Sequence, residues 1–136
     1  MKNMKIKANW EGKKRIKVEN EAGHQVHMDD EVEKGGDRSA MTPAELLTSS
    51  LAGCMGISIM TSLLNYKEPV EELSLDLDFV KSDELPNRVE EIKMIINIKT
   101  EIPKDRIDRI VKLSHEKYCT VSNTLKAETS YEINYL

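Results

Sequence analysis

The chain has two cysteines, one tryptophan and one phenylalanine among 136 residues. So few aromatics oblige any core to be aliphatic, and seven methionines with many Ile, Leu and Val can supply it. Two cysteines make no disulfide framework, and in a reducing compartment they are free thiols or redox participants. They lie 65 residues apart, without metal-like spacing, and no nearby His or Cys completes a zinc set. There is no excess of basic residues. The net charge of -4 argues against nucleic acid, which calls for a basic stripe. The opening MKNMKIKANW lacks the continuous apolar run of a secretory signal, so a cytoplasmic location is expected. No internal repeat or low-complexity segment is visible, no cofactor is expected, and the length fits one domain over residues 1–136.

What is present reads as short strands around one long helix. Met4, Ile6, Ala8 and Trp10 alternate with Lys5, Lys7 and Asn9, the period of a strand. Turns at Glu11-Gly12-Lys13 and Glu21-Ala22-Gly23 separate two further strands, Arg15 to Glu19 and His24 to Met28, with Val26 and Met28 expected inward. A polar loop, 29–41, carries the acidic run DDEVE and the pair Gly35-Gly36. Thr42, Pro43 and Glu45 then form a helix start with a capping box, and the helix should run to about Tyr66. Two alternating strands follow, around Leu73–Phe79 and Ile92–Ile98, joined by a turn near Leu85-Pro86-Asn87. Pro103 opens an amphipathic helix, a helical turn follows Cys119, and Ala127 to Tyr135 alternates as a last strand. The order βββ–α–ββ–α–α–β gives an α+β fold built on antiparallel sheet.

The segment from Ala44 to Leu64 carries one charge, Glu45, and nearly matches a bilayer in length. Its eight Ser, Thr and Gly residues dilute the hydrophobicity, and no basic cluster flanks it. It reads as a buried helix, with no membrane partner. At 1.5 Å per residue it would be roughly 35 Å long, too long for one small domain to cover. Small residues at Ser49, Ala52, Gly53 and Gly56 would let another helix approach closely. Both features point to a second chain.

Cys54, in LAGCMG, sits mid-helix, where a cysteine is usually inert packing. Cys119, in KYCTVSNTL, begins a helical turn whose free N–H groups would favour a thiolate. Two thiols that meet in a fold have the form of a peroxidatic and a resolving cysteine. The histidines carry less. His24 and His27 are expected on opposite faces of a strand, and His115, near Cys119, is a weak partner for acyl chemistry. DDEVE lacks the spacing and glycine of a calcium loop.

The segment TPAELLTSSLAGC, Thr42 to Cys54, resembles the OsmC/Ohr pattern, in which a Pro, a Glu and a run of small residues lead along a helix to a cysteine. Eleven residues separate Pro43 from Cys54, as in that pattern. CTVSNTL, Cys119 to Leu125, is similar to the second motif of that family, and Gly35-Gly36 fits the branch with a GG loop. The resemblance covers essentially the whole chain. It implies antiparallel sheets wrapped around long central helices in an intertwined homodimer. It also implies thiol-dependent reduction of small organic hydroperoxides, with a dithiol as the external reductant. Cys54 would attack the peroxide and Cys119 would resolve the sulfenic acid. An Arg and a Glu would attend the first thiolate, and the residues that match are Arg38 and Glu45.

The sequence departs from the pattern at three positions. Ala44 follows the Pro, with Glu45 one step later and about 100° around the helix. Arg38 lies 16 residues before Cys54, and Thr120 stands where a Pro is usual. Glu45 therefore has two readings, capping residue or site residue. Only a thiolate attacks, and apolar surroundings disfavour it, so a cation is needed. Arg38 is the nearest arginine upstream, on a loop whose glycines could let it fold back, and Lys13, Lys14 and Arg15 at the first hairpin are the fallback. Two alternatives to a peroxidase remain. One is a weakly active or non-enzymatic protein of the same fold that binds a small apolar or thiol-reactive ligand. The other is a sulfur-transfer enzyme using Cys54 alone.

Overall fold

The computed structural model of the protein describes residues 2–136. The chain divides into two compact units, one ending at Leu47 and one spanning Thr48–Leu136. The first holds an antiparallel meander of β1 (Ile6–Trp10), β2 (Ile16–Asn20) and β3 (Gln25–Met28). The third strand starts one residue later than its alternation predicts, because the His24 N–H is taken by the Asn20 side chain in the turn. Its register sets Trp10 against Ile16 and Ile16 against Met28, and Ala8 against Val18 and Val18 against Val26. Paired residues share a face, so this face is apolar. The expectation that Val26 and Met28 point inward holds only in part: Met28 is half-buried, but Val26 is 41% exposed, and Trp10 on the same face 71%. Asp29 and Gly36 are the unit's buried residues among those described.

The connection from β3 passes through a single 3₁₀ turn, Val32–Lys34, to helix α1, Pro43–Leu63. The capping box forms as read. The Thr42 hydroxyl accepts from the Glu45 N–H at 3.2 Å, and the Glu45 carboxylate accepts from the Thr42 N–H at 3.1 Å. The helix ends three residues before Tyr66. There the N–H groups of Asn65 and Tyr66 turn back to the carbonyls of Ser62 and Leu63, tightening the chain out of α geometry. Its buried positions, Thr48, Leu51, Met55, Ile59 and Leu63, recur every three or four residues and form one stripe. The opposite side leaves Ile57 72% and Leu64 74% exposed, so burial covers one face and not the whole helix. By length and composition alone α1 could cross a membrane.

The second unit closes a core of its own. Strands β4 (Val70–Lys81) and β5 (Val89–Thr100) pair antiparallel, and Ile92, Met94, Ile96 and Ile98 of β5 are fully buried. They share one cluster with the α1 stripe, with Ile107 and Val111 of α2 (Lys104–Leu113), and with Cys119. The last strand, β6 (Glu128–Tyr135), pairs with β5 in parallel, which alternation alone could not specify. A parallel return needs a crossover connection. It is supplied by α2, a π turn over Ser114–Tyr118 and α3 (Thr120–Thr124). The result is the expected α+β class, with one antiparallel and one mixed sheet.

Candidate thiol site

Cys54 and Cys119, far apart in sequence, come together in the second unit. Cys54 stands on α1 beside Met55 of the buried stripe and is half-buried. Cys119 is fully buried. The π turn delivers it: the Cys119 N–H donates to the Ser114 carbonyl at 2.7 Å, the wider loop that lets the chain change direction. Cys119 then serves as the N-cap of α3, and its Sγ accepts from the Ser122 N–H at 3.4 Å. Cys54 packs against the cluster that contains Cys119, near enough for the two thiols to influence one another. Burial pushes the Cys119 thiol above its ordinary range, opposed by the Ser122 N–H and reinforced by Cys54. Cys119 is therefore held as a neutral thiol. Both cysteines are free.

Ser122 was not singled out from sequence. Its N–H reaches the sulfur, and its hydroxyl donates to the carbonyls of His115 at 2.8 Å and Cys119 at 3.2 Å, fastening the turn on which Cys119 sits. The position three residues after an N-cap is the one readable signal for it. The His115 ring stacks on Tyr131 at 5.4 Å, and its Nε2 is hydrogen-bonded to Thr129 Oγ1 at 2.7 Å. Its Nε2 and its ring face are thus engaged away from the thiols. Among the described residues, no three His, Cys, Asp or Glu side chains gather as a metal ion would need.

Arg38 and Glu45 come together in the first unit. Arg38 Nη2 lies 3.5 Å from Glu45 Oε2, while Glu45 Oε1 accepts from the Thr42 N–H and hydroxyl. Glu45 thus caps the helix through Oε1 and pairs with Arg38 through Oε2. The Thr42 N–H is the main reason the Glu45 carboxyl lies below its usual range, opposed by burial and helped by the Thr42 hydroxyl and Arg38. The other candidate cations are occupied. Lys13 pairs with Asp37 at 2.7 Å, Lys14 with Asp30 at 3.1 Å and Arg15 with Glu11 at 3.1 Å.

An α+β chain with two thiols in contact, one on a long helix and one capping a short one, defines a class of two-cysteine proteins. The family described as OsmC-like protein matches residues 34–134, and the chain belongs to it. It is similar to the protein YhfA of Escherichia coli K12, 28% identical over 118 residues, covering 86% of this chain and 85% of that one. The fold resembles that of an OsmC-like protein from Mycoplasma pneumoniae, with a TM-score of 0.83 at 15% identity, over 99% of this chain and 98% of the other. It also resembles the organic hydroperoxide resistance protein OhrB of Bacillus subtilis, with a TM-score of 0.63 at 14% identity, over 98% of each chain.

Proposed function

We propose that this protein is a peroxiredoxin-like, thiol-dependent reductase of small organic hydroperoxides, acting as a cytoplasmic homodimer in defence against oxidative stress. The observation that carries the reading is the contact between a half-buried Cys54 and a fully buried Cys119 held as a thiol. A peroxide can approach the first, and the second waits beside it. The Cys54 thiolate attacks one peroxide oxygen, the O–O bond breaks, and the alkoxide leaves as the alcohol after taking a proton. Cys54 is then a sulfenic acid. The Cys119 thiol attacks that sulfur, water departs and a Cys54–Cys119 disulfide forms. An external dithiol returns both cysteines to thiols and is itself oxidised to a disulfide. Arg38 is assigned to favour the thiolate and Glu45 to orient Arg38. A second copy is supported by the exposed apolar side of α1 and the uncovered face of the first sheet. OhrB of Bacillus subtilis is named for organic hydroperoxide resistance, and that name supports the substrate class.

The test is consumption of cumene hydroperoxide and hydrogen peroxide with a dithiol reductant. Cys54→Ser abolishes turnover. Cys119→Ser gives one fast turnover and then stalls or over-oxidises. Equal loss of the first turnover in both variants would overturn the assigned roles. Absence of turnover in the unaltered protein would favour a weakly active or non-enzymatic protein that binds a small apolar or thiol-reactive ligand.

A further inference from the structure

The loop that carries Arg38 is organised around one buried carboxylate. Asp29, 3% exposed, accepts the Asp30 N–H on Oδ1 at 2.7 Å, and the Ser39 N–H and hydroxyl on Oδ2 at 3.0 and 2.6 Å. The Ser39 hydroxyl in turn accepts from Arg15 Nη1 at 2.6 Å. The backbone closes around the same group: Arg38 N–H donates to the Asp30 carbonyl at 3.0 Å, and Asp29 N–H to the Met41 carbonyl at 3.1 Å. Gly36 passes so near that a Cβ there would strike the Asp30 carbonyl and stand 2.9 Å from Asp29 Oδ1. Lys13–Asp37 and Lys14–Asp30 fasten the outside of the loop to the β1–β2 turn.

At the centre of this clamp Arg38 has φ 46, the left-handed region. An arginine stays there only where its surroundings over-determine it. A loop that merely had to close would be served better by glycine at that position. Asp29 holds Ser39, the residue just after the strained one, and it also holds Asp30, whose carbonyl takes the Arg38 N–H; the guanidinium lies 3.5 Å from Glu45.

We propose that Asp29 is the positioning residue of this site, its carboxylate holding Arg38 in the left-handed conformation that directs the guanidinium to Glu45. The inference rests on the reading of Arg38 as the group that favours the Cys54 thiolate.

The experiment uses the full-length protein and four variants: Asp29→Asn, Ser39→Ala, Arg38→Met and the Asp29→Asn/Arg38→Met double. It reads amide hydrogen exchange at Arg38 and Ser39, the first-turnover rate with cumene hydroperoxide, and Cys54 alkylation against pH. Asp29→Asn should speed exchange at both amides while β5 stays protected. It should slow the first turnover on the order of tenfold, as Arg38→Met does, with the double no worse than Arg38→Met alone, as expected of residues acting through one another. Ser39→Ala, which leaves the carboxylate in place, should act in the same direction and covers the case in which Asp29→Asn fails to fold. Unchanged exchange at Arg38 and Ser39 would overturn the proposal, as would losses that multiply in the double variant. A slowed Arg38→Met beside a fully active Asp29→Asn would sink the positioning role and leave the function standing. An Arg38→Met that reacts at the full rate would instead refute the role of Arg38 and, with it, the purpose assigned to Asp29.

Discussion

The two units are held by different physics. Thr48–Leu136 closes around hydrocarbon: Leu51, Met55, Ile59, four residues of β5 and two of α2 are all removed from water. The unit before it buries Asp29 and Gly36, and its order comes from a carboxylate, a hydroxyl and charged side chains gripping one loop. Apolar burial is non-directional and tolerates small shifts, whereas a charge-assisted hydrogen bond fixes atoms. Cys119 sits inside the first kind of environment and the half-buried Cys54 at its edge. Arg38 and Glu45 sit in the second, which sets an angle.

The comparison is sharpest where a core residue is truncated. Ile96 is fully buried at the middle of β5, paired with Leu75 of β4 and Ile133 of β6. Ile96→Ala should cost about 2–5 kcal/mol, lost transfer energy plus the cavity left behind. Urea unfolding checks it. A cost under about 1 kcal/mol would mean that the core relaxes into the gap, and that the second unit depends less on hydrocarbon packing than its burial suggests.

Trp10 should behave otherwise. It is 71% exposed on the uncovered face of the first sheet. Trp10→Ser should leave the second unit folded and weaken dimer formation by about 2 kcal/mol, the scale of an interface anchor and some 30-fold in dissociation constant. Sedimentation against concentration measures this. A stable, folded monomer of the unaltered protein at micromolar concentration would remove the partner altogether, and the face would have to be explained as bare surface.

The second unit was the more legible in the sequence, for the same physical reason. Period-two alternation marks Ile92 to Ile98 because hydrocarbon must face one side, and the structure buries those residues. The capping box at Thr42 and Glu45 was legible because its chemistry is local. The helical turn after Cys119 was legible too, and the structure makes Cys119 its cap. The parallel direction of β6 was not, since alternation carries no sign of direction. The inward face predicted for Val26 and Met28 was half a truth: the register makes one face apolar, but nothing in a single chain says what covers it. Asp29 was hidden for a different reason. In the run DDEVE five residues look like a solvated surface, and only the return of the chain at Ser39 makes one of them a buried anchor.

The smallest expected effect is local and of opposite sign in the two units. The Ser39 hydroxyl, helped by the N–H groups of Ser39, Asp30 and Asp37 against the effect of burial, holds the Asp29 carboxyl at about 2, below its ordinary 3.8. A carboxyl held below its unfolded value stabilises the loop fully above that value, and the contribution fades as pH falls toward the folded one. Acid should therefore loosen residues 29–39 between about pH 4 and pH 2. Burial pushes Cys119 the other way, above its ordinary 9.0. A thiol held above its unfolded value stabilises the fold below 9.0, and the contribution is lost as pH rises through the folded value. Amide chemical shifts followed by NMR across the range should move first at Ser39 on acidification and first at Ser122 on alkalinisation. Movement of both amides together at one end would mean that the units do not respond separately, and the contrast between a polar and an apolar anchor would not describe how this protein yields to pH.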